Sequence, residues 1–101
     1  VLELGDLRMD LLTRSVTRGG KEVPLTNKEY ELLEYLLRNK GRVVSRVILT
    51  EHIWDMGFDS ETNVVDVLVN RLRRKVDDAF SDKLIQTVRG VGYMLKDPEN
   101  A

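Results

Sequence analysis

The hydrophobic period of this chain changes at Thr26 from two residues to about 3.6, and that change puts a sheet first and helices directly after it. Before Thr26, Leu7, Met9 and Leu11 alternate with Arg8 and Asp10, and Val16 sits between Arg14 and Arg18 in the same manner. Gly19-Gly20 supplies a two-residue turn in which both positions tolerate positive φ, as a tight hairpin requires. Val23 and Leu25 follow, and Pro24 between them confines that strand to an edge or an end. Residues 1–25 therefore read as a small antiparallel sheet. At Thr26-Asn27-Lys28-Glu29 a threonine is followed three residues later by a glutamate, a capping box that opens a helix. Behind it Tyr30, Leu33 and Leu37 form one helical stripe and Leu32 with Leu36 a second, wide enough for a central helix.

The remaining chain continues in helices until its last quarter. Asn39-Lys40-Gly41 is a helix stop, and Arg42-Val43-Val44 an extended link. Ser45 suits the N-cap of a second helix over about Arg46 to Trp54, with Val47, Ile48, Ile53 and Trp54 apolar. Asp55 to Thr62 reads as a loop, and a third helix follows over about Asn63 to Asp77. Lys83 to Lys96 reads as a β-hairpin with arms Leu84–Val88 and Tyr93–Leu95 and the tip Arg89-Gly90-Val91-Gly92. The fold class is α+β: an N-terminal antiparallel sheet (1–25), a three-helix core (26–77) and a C-terminal hairpin (83–96) in one domain spanning 1–96. Residues 97–101 form a tail. A chain of 101 residues is one domain's worth.

Composition removes several function classes. The absence of cysteine excludes disulfides, thiolate zinc sites and cysteine nucleophiles, and a single histidine, His52, excludes a cluster of imidazole ligands. No apolar run approaches the roughly 18 residues of a membrane helix, and no signal peptide or lipidation motif is present. His52 beside Glu51 resembles an acid–base pair, but no nucleophile or second base accompanies it, and a surface or half-buried helical histidine is the simpler reading. Gly90-Val91-Gly92 is too short to cradle a phosphate and leads to a strand rather than a helix. Glu29, Glu31 and Glu34 spread over several faces of the first helix and read as solvation. No catalytic site, metal or cofactor is expected.

The net charge of −1 conceals a local surplus: residues 62–96 carry seven basic and four acidic side chains, and Arg71, Arg73, Arg74 and Lys75 lie within five positions. On the third helix Val65, Val69, Leu72 and Val76 share one face, with Leu68 at its border. The opposite face holds Asn63, Val67, Asn70 and Arg74, flanked by Val64, Asp66 and Arg71. Long cations, amides and small apolar groups are the vocabulary of major-groove readout. The plainer reading is a solvated helix face. At the hairpin tip, Arg89 beside permissive glycines suits a narrow minor groove, and Thr87 can donate to a phosphate; the plainer reading is a hairpin that only closes a sheet. Helix, helix, then a glycine-tipped hairpin is the order of a winged helix-turn-helix. Two functions stand: a DNA-binding module, or a winged helix whose basic helix binds an acidic protein.

Four ordered motifs carry a family resemblance. Thr87-Val88-Arg89-Gly90-Val91-Gly92-Tyr93 resembles the wing of OmpR/PhoB-type response-regulator output domains. Leu25-Thr26-Asn27-Lys28-Glu29-Tyr30-Glu31-Leu32-Leu33 resembles that family's first helix opening, Val43-Val44-Ser45-Arg46 its turn into the second helix, and Asn63–Val67 through Arg71–Lys75 its recognition helix. The stretch from Asp77 to Tyr93 is most similar to the heavy-metal-responsive, copper-type subgroup. The resemblance implies transcriptional control through double-stranded DNA, with the third helix in the major groove and the wing in the minor groove. It places Asp66, Val67 and Arg71 where bases are read. Asn63, Asn70, Arg73 and Arg74 lie at or within reach of backbone contacts, and Thr87 and Arg89 match the wing contacts. The loop Asp55, Met56, Gly57, Phe58, Asp59, Ser60 and Glu61 matches the segment that touches RNA polymerase in activators. Leu68, Val64 and Asn70 depart from the family pattern, where some relatives have a polar phosphate contact, a hydroxyl and an arginine. The resemblance further implies a receiver domain N-terminal to Val1, a sensor histidine kinase acting on it, a cytoplasmic location, and a monomer that pairs in tandem on direct-repeat DNA.

Overall fold

Seven strands and three helices make up the computed structural model, which describes residues 1–53 and 63–97. Strands β1 (Leu2–Leu4), β2 (Leu7–Asp10), β3 (Ser15–Arg18) and β4 (Lys21–Glu22) form an antiparallel meander in that order. Of the apolar members of the alternating pattern, Leu7, Met9 and Val16 are buried, Leu11 lies beyond the end of β2 and is only partly buried, and Met9 pairs with Val16 across β2 and β3. Gly19 and Gly20 connect β3 to β4 with φ of 59° and 80°, the tight turn the sequence requires. Two details differ from expectation. Leu2–Leu4 supplies the first strand of the expected sheet without an alternating pattern to mark it, whereas Val23–Leu25, expected as a strand, is not one: β4 ends at Glu22, and the chain leaves the sheet towards the first helix.

Helix α1 (Asn27–Arg38) begins with the capping box intact. The Thr26 hydroxyl accepts from the Glu29 amide, and Glu29 Oε1 accepts from the Thr26 amide at 2.9 Å. Tyr30, Leu32, Leu33, Leu36 and Leu37 are all buried, each leucine contributing about 1.5–3 kcal/mol by leaving water. Glu29 is not the solvation residue expected of it. It is buried, and its Oε1 also accepts from Lys75 Nζ at 2.6 Å, which ties α1 to the third helix. Burial opposes its ionisation, but the hydrogen bonds from Lys75 and from the Thr26 amide outweigh that and hold the carboxyl below its ordinary value.

After the stop at Asn39 and Gly41 (φ 81°), the link at Val43-Val44 ends as strand β5 (Val44–Ser45), followed by helix α2 (Arg46–Ile53). Ser45 Oγ accepts from the Ile48 amide at 3.2 Å, so it serves as the expected cap. Helix α3 (Asn63–Val76) leads to the hairpin of β6 (Ile85–Val88) and β7 (Gly92–Leu95), and β5 pairs with β7 to give a second, three-stranded sheet in the order β5-β7-β6. Gly92 corrects a reading of the sequence. It does not relax the turn: a Cβ there would lie 2.0 Å from the Val44 carbonyl oxygen, so glycine is required by the close approach of β5. Gly90, with φ 74°, is the turn glycine. Among the described residues no helix is long and apolar enough to cross a membrane. The architecture is an α+β winged helix-turn-helix, and the hairpin β6–β7 is its wing.

One buried ionic cluster joins its parts. Arg18, at the end of β3, is 1% exposed. Its guanidinium donates to Asp6 at 2.5 Å, to the Val76 carbonyl at 2.7 Å, to Asp77 at 2.9 Å and to the Asp82 carbonyl at 2.6 Å, and it stacks on Phe80. Asp77 in turn accepts the amides of Leu84 and Ile85. The first sheet, the end of α3 and the start of the wing are thereby held together.

Candidate nucleic-acid interface

Helix α3 divides into the two faces that its sequence requires. Val65, Val69, Leu72 and Val76 are fully buried and Leu68 nearly so. Val67, Asn70, Arg71 and Arg74 are exposed. Asn70, Arg71 and Arg74 make no hydrogen bond or ion pair with any described residue, so two cations and an amide share one face without a partner among the described residues. Asn63 opens α3, but its side chain lies outside the described residues, as does the whole loop from Asp55 to Glu61.

The wing supplies a third free cation. Arg89 follows β6, is exposed and has no partner among the described residues. The other two sequence-predicted cations of α3 are spent on the protein. Lys75 is paired with Glu29. Arg73 is half-buried and reaches the wing, donating through Nη2 to the Thr87 hydroxyl and to the Ile85 carbonyl at 3.3 Å. Thr87 acts there as an acceptor, which leaves its own O–H as a donor. Asp66 is likewise engaged: its Oδ1 accepts from Arg46 Nε at 2.9 Å and from the Tyr93 hydroxyl. The groups without a partner among the described residues are therefore Val67, Asn70, Arg71, Arg74 and Arg89, whereas Asp66, Arg73 and Thr87 lie in the seam between helix and wing.

Residues 20–95 match the family described as transcriptional regulatory protein, C terminal. The chain belongs to this family. It is 54% identical to the transcriptional regulatory protein CusR of Escherichia coli over 97 residues, 96% of this chain and 43% of that protein. The chain thus spans less than half the length of the curated relatives it matches. Among solved structures it resembles the response regulator DrrB of Thermotoga maritima, an OmpR/PhoB homologue, with 37% identity and a TM-score of 0.82 over 93% of this chain and 43% of that one. It also resembles the RstA DNA-binding domain of Klebsiella pneumoniae in complex with the RstA box, with 31% identity and a TM-score of 0.82 over 94% of this chain and 95% of that one. The OmpR/PhoB-type resemblance drawn from the four motifs is the family found.

Within this transcriptional-regulator domain, sequence reasoning missed Arg46 and Tyr93. Tyr93 is 5% exposed, and its ring lies 5.9 Å from the Arg46 guanidinium and 5.6 Å from that of Arg73. Burial, and then the hydrogen bond given to Asp66, raise its phenol above the ordinary value of 10.0. A tyrosine in a buried strand usually finds a partner for its hydroxyl, and that signal was present in the sequence. The partner was not, since Asp66 is brought to it only by the fold. His52 is an exposed helical residue whose ring is 3.9 Å from that of Tyr35, tilted by 37°. The described residues contain no group of three His, Cys, Asp or Glu that could hold a metal ion.

Proposed function

We propose that this domain binds double-stranded DNA sequence-specifically, as the output domain of a two-component response regulator that controls transcription. The observation that carries the reading is the set of unpaired groups on α3 and the wing. Arg71, Arg74 and Arg89 are exposed cations with no described protein partner, beside Asn70 and Val67. Arg18 and Lys75 are held in ion pairs within the fold, whereas these three cations of α3 and the wing face solvent. Helix α3 lies in the major groove, with Val67 and Arg71 at base edges and Asn63, Asn70 and Arg74 at or near phosphates. Asp66 reads bases through the oxygen not used by Arg46 and Tyr93. Arg73 and Thr87 reach the backbone from the seam. Arg89 enters the minor groove, where an A·T-rich sequence narrows the walls and deepens the negative potential. Two copies bind head-to-tail on direct repeats, and the loop from Asp55 to Glu61 meets RNA polymerase. In the longer protein a receiver domain, phosphorylated by a sensor histidine kinase, governs the arrangement.

Selection of bound sequences from random DNA tests the reading, followed by titration at several salt concentrations. A defined sequence should emerge. The logarithm of its binding constant should fall with the logarithm of salt by a slope of about 1.8 or more, at about 0.9 for each of the phosphate-neutralising cations Arg73 and Arg74. Arg89→Ala should weaken binding more when the flanks are A·T-rich than when they are G·C-rich. A flat salt response with no selected sequence would instead fit an acidic protein partner.

A further inference from the structure

Side chains attach the base of the wing to α3 at two levels of the helix, Asp66 through Tyr93 and Arg73 through Thr87 and the Ile85 carbonyl, and Thr87 and Tyr93 form one cross-strand pair. Thr87 on β6 faces Tyr93 on β7. The Tyr93 hydroxyl donates to Asp66, and the Thr87 hydroxyl accepts from Arg73. Asp66 and Arg73 are two turns apart, about 10 Å along the helix at about 1.5 Å per residue. One attachment would be a pivot; two so far apart along the helix oppose rotation of the ribbon about it. Arg46 closes the arrangement from the first turn of α2, paired with Asp66 and facing the Tyr93 ring. Behind it, the missing Cβ of Gly92 lets β5 press against β7.

We propose that Tyr93 is a positioning residue that locks the wing to α3, so that Arg89 and Arg71 engage DNA as one rigid body. The inference rests on the DNA-binding reading above. Arg89 is two residues beyond Thr87, about 6.6 Å along an extended strand. A swing of about 10° at the unlocked base moves its backbone by about 1 Å and its guanidinium further, enough to lose register with a groove. The hydroxyl of Tyr93 is the economical place to test this, because the ring fills the core whether or not the hydroxyl is there.

The experiment is a double-mutant cycle on the selected duplex, using Y93F and R89A, with thermal melts to verify folding. In the wild-type background R89A should cost several-fold in affinity. In the Y93F background it should cost distinctly less, since an unlocked wing no longer holds Arg89 in place. T87V, at an exposed position, removes the hydroxyl from the other attachment and leaves Arg73 only the Ile85 carbonyl, so it should reduce the effect of R89A in the same direction, whatever Y93F does to folding. Residual dipolar couplings of the protein alone supply a second readout: in Y93F the wing amides from Ile85 to Leu95 should reorient relative to α3. Additive losses in both cycles, with couplings unchanged, would overturn the lock while leaving the DNA-binding reading in place. Failure of the wild-type domain to bind any selected duplex would overturn both, and the two failures are therefore distinguishable.

Discussion

Arg18 and Arg89 occupy the same local setting and meet opposite fates. Arg18 ends strand β3 and Arg89 directly follows strand β6, and each is followed by a turn glycine at positive φ, Gly19 at 59° and Gly90 at 74°. Arg18 is buried with four acceptors and a phenyl ring around it; Arg89 is exposed and unpartnered among the described residues. A buried guanidinium is tolerable only where acceptors replace most of its lost water. Arg18 finds them because the end of α3 turns back over the first sheet and presents the Val76 carbonyl and Asp77. Among the described residues nothing folds back over the wing tip. An arginine beside a turn glycine is thus not a ligand site in itself. The acceptors that tertiary structure brings to it decide whether it holds the fold together or remains available to a phosphate.

Breaking the buried member should have the largest effect. Arg18→Met leaves the Asp77 carboxylate buried without its ion pair and should cost about 3–5 kcal/mol in a urea unfolding titration, as loss of one partner of a buried pair usually does. A loss under about 1 kcal/mol, the range of exposed pairs, would show that the cluster is not structural. On the exposed side, Arg71→Ala should leave the melting curve intact and cost about 1–3 kcal/mol on the selected duplex, with base preference relaxed at one position. Equal losses on selected and random DNA would make Arg71 a phosphate contact only.

Acid sharpens the same contrast. The folded state lowers the pKa of Glu29 from its ordinary 4.5, so its contribution is complete above that value and disappears as pH falls through the lower folded value. Glu29→Gln should therefore narrow the stability difference between pH 7 and pH 3, measured by urea titration at both, and an unchanged pH profile would deny the Lys75 pairing a role. Smallest of all, Arg89→Ala should change unfolding stability by no more than about 0.5 kcal/mol, the range for surface positions without partners, as measured by urea titration.

What the sequence made legible was periodic or local. Helix α1 was visible from its stripe and capping box, and the outward face of α3 from angular position alone. Strands β1, β4 and β5 were not, because segments of two or three residues have no period of their own; β5 exists because Val44 and Ser45 find Tyr93 and Gly92. The free cations were legible as a basic run, but not which members would be consumed. That depended on partners far along the chain: Glu29 for Lys75, Thr87 for Arg73, Asp77 for Arg18. Gly92 misled for the same reason, since the carbonyl it accommodates belongs to another strand. Tyr93 and Arg46 escaped notice because their importance lies wholly in what the fold places beside them.

Arginine side-chain NMR compares the two regions in one sample. The Nε signals of Arg18, Arg71, Arg74 and Arg89 would be followed as the selected duplex is added. Arg71, Arg74 and Arg89 should shift and slow their exchange with water, while Arg18, already enclosed by protein acceptors, should not move. A duplex that binds tightly yet leaves Arg71 and Arg89 unshifted would contradict the placement of DNA on α3 and the wing.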